Sequence, residues 1–218
     1  MKNNFALSCI LVMIIAFSAC QSNNHSTTVI NDVTGHSIVE LNPTDFEAIQ
    51  KLIKQMLIWT DTETSIDLLP VIADKKEEVY VGFDLDQHKM NLAIFAETNF
   101  FTPQFIENYN QIILTLDDKV KNKYFEPWMV GELPPFPFTN HGSPWCLCQD
   151  NQDWNLIEVK VLNLTKNEVG MEWSWGISNQ EEEQIWEDIP YKFAVEKVNG
   201  QWKISYLAGF DLEDNTKF

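Results

Sequence analysis

Two hydrophobic rhythms divide the chain. Between Phe46 and Val120 the apolar residues return every three to four positions, and from Ile157 onward they return every second one. In NPTDFEAIQKLIKQMLIW (42–59), Phe46, Ile49, Ile53, Met56 and Leu57 share one face of a helix. Its start is explicit: Asn42 as N-cap, Pro43 at the first helical position, and Asp45 and Glu47 at the positive end. A weaker helix is predicted from Asp84 to Glu97, with Leu85, Leu92 and Phe95 as its apolar side. In the third, Thr102 caps, Pro103 follows, and Phe105, Tyr109, Ile112, Ile113, Leu116 and Val120 recur at helical spacing. The strands then alternate: Ile157, Val159, Val161; Val169, Met171, Trp173, Trp175; Tyr191, Phe193, Val195; and, beyond the two-residue turn Asn199-Gly200, Trp202, Ile204 and Tyr206. Helices first and a meander afterwards predict an α+β fold, N-terminal helices covering one face of an antiparallel sheet.

The segment between the two rhythms, Gly131 to Trp154, holds Pro134, Pro135, Pro137 and Pro144, which exclude long regular elements. It also holds Phe136, Phe138, Trp145 and Trp154, too apolar for a free linker. An ordered cover over one end of the sheet is the expectation.

The first twenty residues, MKNNFALSCILVMIIAFSAC, place Lys2 before an apolar run and small residues before Cys20. The run is short for a membrane span and has the order of a secretory signal. Its ending resembles the lipobox of bacterial lipoproteins, with Phe17 where leucine is usual. That resemblance implies a signal over 1–19 and lipidation of Cys20. A polar tether over 20–41 then leads to a single domain over 42–218. The lipid would anchor the protein to a membrane without spanning it. Gln21, where aspartate commonly retains lipoproteins at the inner membrane, points to the outer membrane. The formal net charge is −17 and there is no arginine, which argues against nucleic acid as a partner.

Residues that carry chemistry crowd into HGSPWCLCQDNQDW (141–154). In an extended strand Cys146 and Cys148 would lie about 6.6 Å apart, at the edge of what a disulfide tolerates. Two thiols acting as small apolar side chains are therefore expected, with a strained, labile redox pair as the alternative. A metal would recruit His141, Cys146, Cys148 and Asp150 or Asp153, but ligand count and spacing fall short of a zinc site. The Asp84-Leu85-Asp86 run does not continue into a calcium loop, and helix capping by Asp84 accounts for it better. No cofactor is expected.

Three segments, FFTPQFIENYNQI (100–112), SPWCLCQD (143–150) and FAVEKVNGQWKISYL (193–207), resemble a family of bacterial lipoproteins of unassigned function. Their domain belongs to the nuclear-transport-factor-2-like group. The resemblance spans roughly residues 84 to 210. It implies a strongly curved sheet wrapped around helices, with a cavity at the wide end, and it carries over no catalytic residue. In such a cavity Trp173, Trp175, Tyr191, Phe193, Trp202 and Tyr206, with Trp145 from the cover, are the candidate ligand-binding residues. Core packing is the competing account of each. The resulting expectation is a non-catalytic envelope module binding a small apolar or peptidic ligand, or another envelope protein. The alternative is an isomerase- or cyclase-like enzyme using general acid-base chemistry, with Asp150 as its carboxylate.

Overall fold

The computed structural model describes residues 41–63, 66–140, 142–149, 153–165, 168–175 and 190–217. Residues 1–40, where a signal and a tether are expected, His141, Asp150 and the three glutamates at 181–183 lie outside the described residues.

The architecture is α+β. Helix α1 (Pro43–Thr62) is followed by a short antiparallel hairpin, β1 (Val71–Ala73) and β2 (Tyr80–Phe83), then by helices α2 (Leu85–Thr98) and α3 (Pro103–Lys121). A long irregular stretch leads to the antiparallel meander β3 (Ile157–Leu164), β4 (Glu168–Trp175), β5 (Tyr191–Val198) and β6 (Gln201–Leu207). A short helix α4 (Leu212–Thr216) closes the described chain. Among the described residues no helix is long and apolar enough to cross a membrane.

The helix starts are those the sequence predicts. Asn42 accepts from the Asp45 N–H at 2.8 Å and Thr102 from the Phe105 N–H at 3.2 Å. Asp84 accepts from the Asp86 and Gln87 N–H groups, each at 3.0 Å, so it caps α2. Each oxygen satisfies a donor that the first helical turn leaves without a partner. The predicted faces of α1 and α3 are buried, and they meet Val169, Met171, Phe193, Val195 and Ile204 of the sheet in one hydrophobic core.

The hairpin β1–β2 is an element that the two rhythms do not reveal, because its strands are three and four residues long. Tertiary contacts hold it instead. The Tyr80 N–H donates to the Trp128 carbonyl at 2.9 Å, the Val130 N–H to the Glu78 carbonyl at 3.0 Å, and the Phe83 N–H to the buried Asp117 carboxylate at 2.9 Å.

One predicted orientation is reversed. Ile204 pairs with Val195 but Tyr206 pairs with Ala194, so Ser205 is an extra residue in β6. A bulge of this kind shifts the alternation by one. Tyr206 therefore lies on the sheet face opposite Phe193 and Val195, against the inward position its spacing predicts. Its phenol lies against Asp211, and burial together with that carboxylate pushes its pKa up to about 12.

The Pro-rich stretch is a cover, as expected. Phe136, Phe138, Trp145 and Trp154 are buried in the common core. The Tyr191 hydroxyl donates to the Pro144 carbonyl at 2.7 Å and accepts from the Gly209 N–H at 3.0 Å, locking the cover to β5 and to the turn after β6. Gly209 makes this approach feasible, since a Cβ there would stand 2.0 Å from the Pro144 carbonyl oxygen.

Candidate functional site

The C-terminal end of α1 borders a cavity of about 220 Å³, lined by Trp59, Thr60, Glu63, Ile66, Asp67, Leu68, Ser143 and Trp145. Three pieces of chain build it. The last turn of α1 supplies Trp59, Thr60 and Glu63, the segment towards β1 supplies Ile66 to Leu68, and the cover supplies Ser143 and Trp145.

Each wall is fixed from behind. The Trp59 and Trp145 rings meet edge to face, centroids 6.1 Å apart at 80°. Trp59 also packs on Phe95 at 6.1 Å and Phe100 at 5.8 Å, and Trp145 on Phe210 at 4.5 Å. The second wall is hung from two helices. Asn91 of α2 donates to the Asp67 carbonyl at 2.6 Å, and the Tyr109 hydroxyl of α3 donates to the Leu68 carbonyl at 3.1 Å. Burial drives the Tyr109 phenol pKa far upward, so it remains a donor throughout the physiological range. The Asp67 carboxylate accepts from the Leu69 N–H at 2.9 Å, which shapes the bend.

The charged side chains among its described lining residues, Glu63 and Asp67, are both acidic, and the last turn of α1 contains no basic residue against its negative helix end. Flat indole walls beside carboxylates suit an apolar group ending in a cation or a hydrogen-bond donor.

The structure distributes the residues nominated from the sequence differently. Of that set only Trp145 lines the cavity. Trp173, Tyr191 and Phe193 are buried in the core, Trp173 and Tyr191 stacked with centroids 5.2 Å apart. Trp175 lies on Trp154 at 4.9 Å. Trp202 stands at the opposite end of α1, where its Nε1–H donates to Asp45 at 2.8 Å. Trp59, Glu63, Asp67 and Leu68 carry no motif, and only the aromatic and three acids close together in WTDTETSID (59–67) hint at them.

Cys146 and Cys148 are joined by a disulfide, and the expected pair of free thiols is corrected. The extended-strand spacing does not apply here. Leu147 adopts a left-handed conformation (φ 52°), and the turn brings the two α-carbons to 5.1 Å. Joined in this way, they offer no thiolate to a metal. Among the described residues no three histidine, cysteine or acidic side chains converge as a metal site. Asp150, the candidate carboxylate, and His141 lie outside the described residues.

His88, two residues beyond the Asp84-Leu85-Asp86 run, is buried between α2 and α3. Its Nε2 is 3.0 Å from the Asn110 side-chain oxygen, and its ring lies 5.0 Å from that of Tyr109. Burial lowers its pKa, so it stays neutral and structural.

Compared with known protein families, with curated proteins and with solved structures, the chain matches none.

Proposed function

We propose that this protein is a lipid-anchored component of the cell envelope whose folded part is a non-catalytic binding module. Its α+β order of helices, hairpin and four-stranded meander is compatible with the nuclear-transport-factor-2-like, cone-shaped class that three segments of the sequence resemble. The N-terminal charged, apolar and small segments ending at Cys20 support a lipid anchor, and Gln21 supports the outer membrane.

The observation that carries the binding reading is the cavity at the end of α1. Its two indoles and two acidic residues fit a small ligand, or a peptide side chain, with an apolar body and a positively charged end. The molecule holds an internal example of that pairing at the other end of the same helix. There Lys197 lies over the Trp202 ring, 5.1 Å from its centroid, while its Nζ donates to Asp45 at 2.8 Å.

Three probes of equal chain length test the assignment on the full chain: hexyltrimethylammonium, hexanol and hexyl sulfate, followed by tryptophan fluorescence. The cation is expected to bind on the order of tenfold more tightly than the alcohol, with the sulfate weakest. The double variant Glu63→Gln, Asp67→Asn should abolish that preference, while Glu77→Gln, Glu126→Gln, at exposed positions outside the cavity, should leave it intact. The asparagine keeps an oxygen for the Leu69 N–H, so the wall persists. Equal affinity for all three probes would sink the charge assignment, and no saturable change with any of them would sink the binding site. The anchor has a separate readout: Cys20→Ser should move the chain from the detergent phase to the aqueous phase on partitioning.

A further inference from the structure

The structure assigns a second role to the cover. We propose that the Cys146–Cys148 bond is a thiol–disulfide exchange site that oxidises a dithiol in a partner peptide or protein. The proposal is independent of what occupies the cavity.

A bond across a single intervening residue constrains the unfolded chain very little, since the stabilisation from a disulfide grows with the loop it closes. The turn has other means of support. The Ser143 N–H donates to the Cys148 carbonyl at 2.9 Å, and the Ser143 carbonyl accepts from the N–H groups of Cys146 at 3.2 Å and Leu147 at 2.7 Å. Tyr191 holds Pro144, and Trp145 is buried among Phe95, Phe101 and Phe210. Leu147 sits in a backbone region that leucine rarely occupies, and the residue is 51 % exposed. A bond that adds little to folding, in a turn held by other contacts, can open and close without unfolding its surroundings.

The two sulfurs are not equivalent. Cys146 is 8 % exposed, whereas Cys148 is only half-buried. The Cys148 N–H points at the Cys146 sulfur, 3.3 Å away. A thiolate on Cys146 would keep that hydrogen bond, which stabilises it as a leaving group. The step therefore has a direction. A partner thiolate attacks Cys148 Sγ, the Cys146–Cys148 bond breaks, and its electron pair stays on Cys146 Sγ. The partner is now joined to Cys148 by a mixed disulfide. Its second thiolate attacks its own sulfur in that bond and expels the Cys148 thiolate. The partner dithiol leaves as a disulfide, oxidised by two electrons. Cys146 and Cys148 retain those electrons as the reduced pair, and the two protons released by the partner balance the two thiolates.

The experiment incubates the oxidised full chain with millimolar reduced glutathione, quenches with acid, alkylates, and locates glutathione by peptide mass. Adducts on Cys148 should exceed those on Cys146 on the order of tenfold. The fully reduced chain should keep its near-ultraviolet circular dichroism. A synthetic peptide with two cysteines, added in equal amount, should be recovered as its disulfide. Equal labelling of both cysteines would overturn the proposal. So would a bond inert in the native chain but reduced at an ordinary rate in urea, or a loss of tertiary signal on reduction, which would make the bond a structural staple.

Discussion

Helix α1, 20 residues and about 30 Å long, ends in an indole and a carboxylate at both extremities, yet the two ends behave differently. At its N-terminus Asp45 accepts from Trp202 and from Lys197, and the lysine covers the ring. Those hydrogen bonds, Lys197 first, hold the Asp45 carboxyl below the usual range. At its C-terminus Trp59 and Trp145 stand beside Glu63 and Asp67, and a cavity lies where the first end has its lysine. The same side-chain types close on a lysine in one place and line a cavity in the other. The difference lies in what stands beside the indole: a lysine over the Trp202 ring at one end, open space between Trp59 and Trp145 at the other.

The largest effect should come from the part of α1 that both ends share. Ile53 is fully buried at mid-helix, and Ile53→Ala should cost about 2–5 kcal/mol. Thermal melts should then fall steeply, and a loss below about 1 kcal/mol would mean that the ends are held independently of the helix between them. Asp45→Ala removes the acceptor shared by Lys197 and Trp202. It should lower stability by about 1 kcal/mol, or roughly 2–4 °C in melting temperature, and leave binding at the cavity unchanged. A weakened cavity would show the two ends to be coupled.

Acid separates the contributions further. The folded pKa of His88 is lowered, so between its ordinary value near 6.5 and that lower value the unfolded chain binds a proton that the folded one does not. Stability should therefore fall as pH drops below about 6.5, and His88→Gln should remove that limb of the melting profile. Asp45 acts lower on the scale: its stabilisation is complete above the ordinary carboxylate value and is lost as pH falls through its lowered folded value. A profile without the upper limb in the wild type would contradict the buried neutral imidazole. The smallest effect sharpens the comparison directly. Lys197→Ala leaves Asp45 and Trp202 without their cation, and hexyltrimethylammonium should then gain a second, weaker site that the wild type lacks, on the order of millimolar.

Much of this fold is legible along the chain. The caps at Asn42, Asp84 and Thr102, and the apolar faces of α1 and α3, are local, because an N-cap needs only its own first turn and a helical face needs only its period. The meander is legible for the same reason, down to the Asn199-Gly200 turn. The site is not. Six of the seven aromatics nominated as pocket residues do not line the cavity at the end of α1, because alternation tells which face of a strand is apolar and not whether that face meets a neighbour or a void. Tyr206 shows a further limit: one extra residue at Ser205 reverses its face, and nothing local in WKISYL marks the bulge.

What the sequence by itself determined, then, is the succession of elements, the acidic character with lysine as the sole strong base, and the crowding of cysteines and tryptophans between residues 141 and 154. Only the tertiary structure decided that Leu147 turns the chain enough to join Cys146 to Cys148. Only it brought Trp145 from the cover onto Trp59 of a helix 86 positions earlier (145 − 59). The physical reason is common to both. Periodicity and capping are interactions between residues a few positions apart, whereas a cavity and an i, i+2 disulfide depend on where distant segments hold a turn. Here they are Asn91, Tyr109 and Tyr191, each donating to a main-chain carbonyl of another segment.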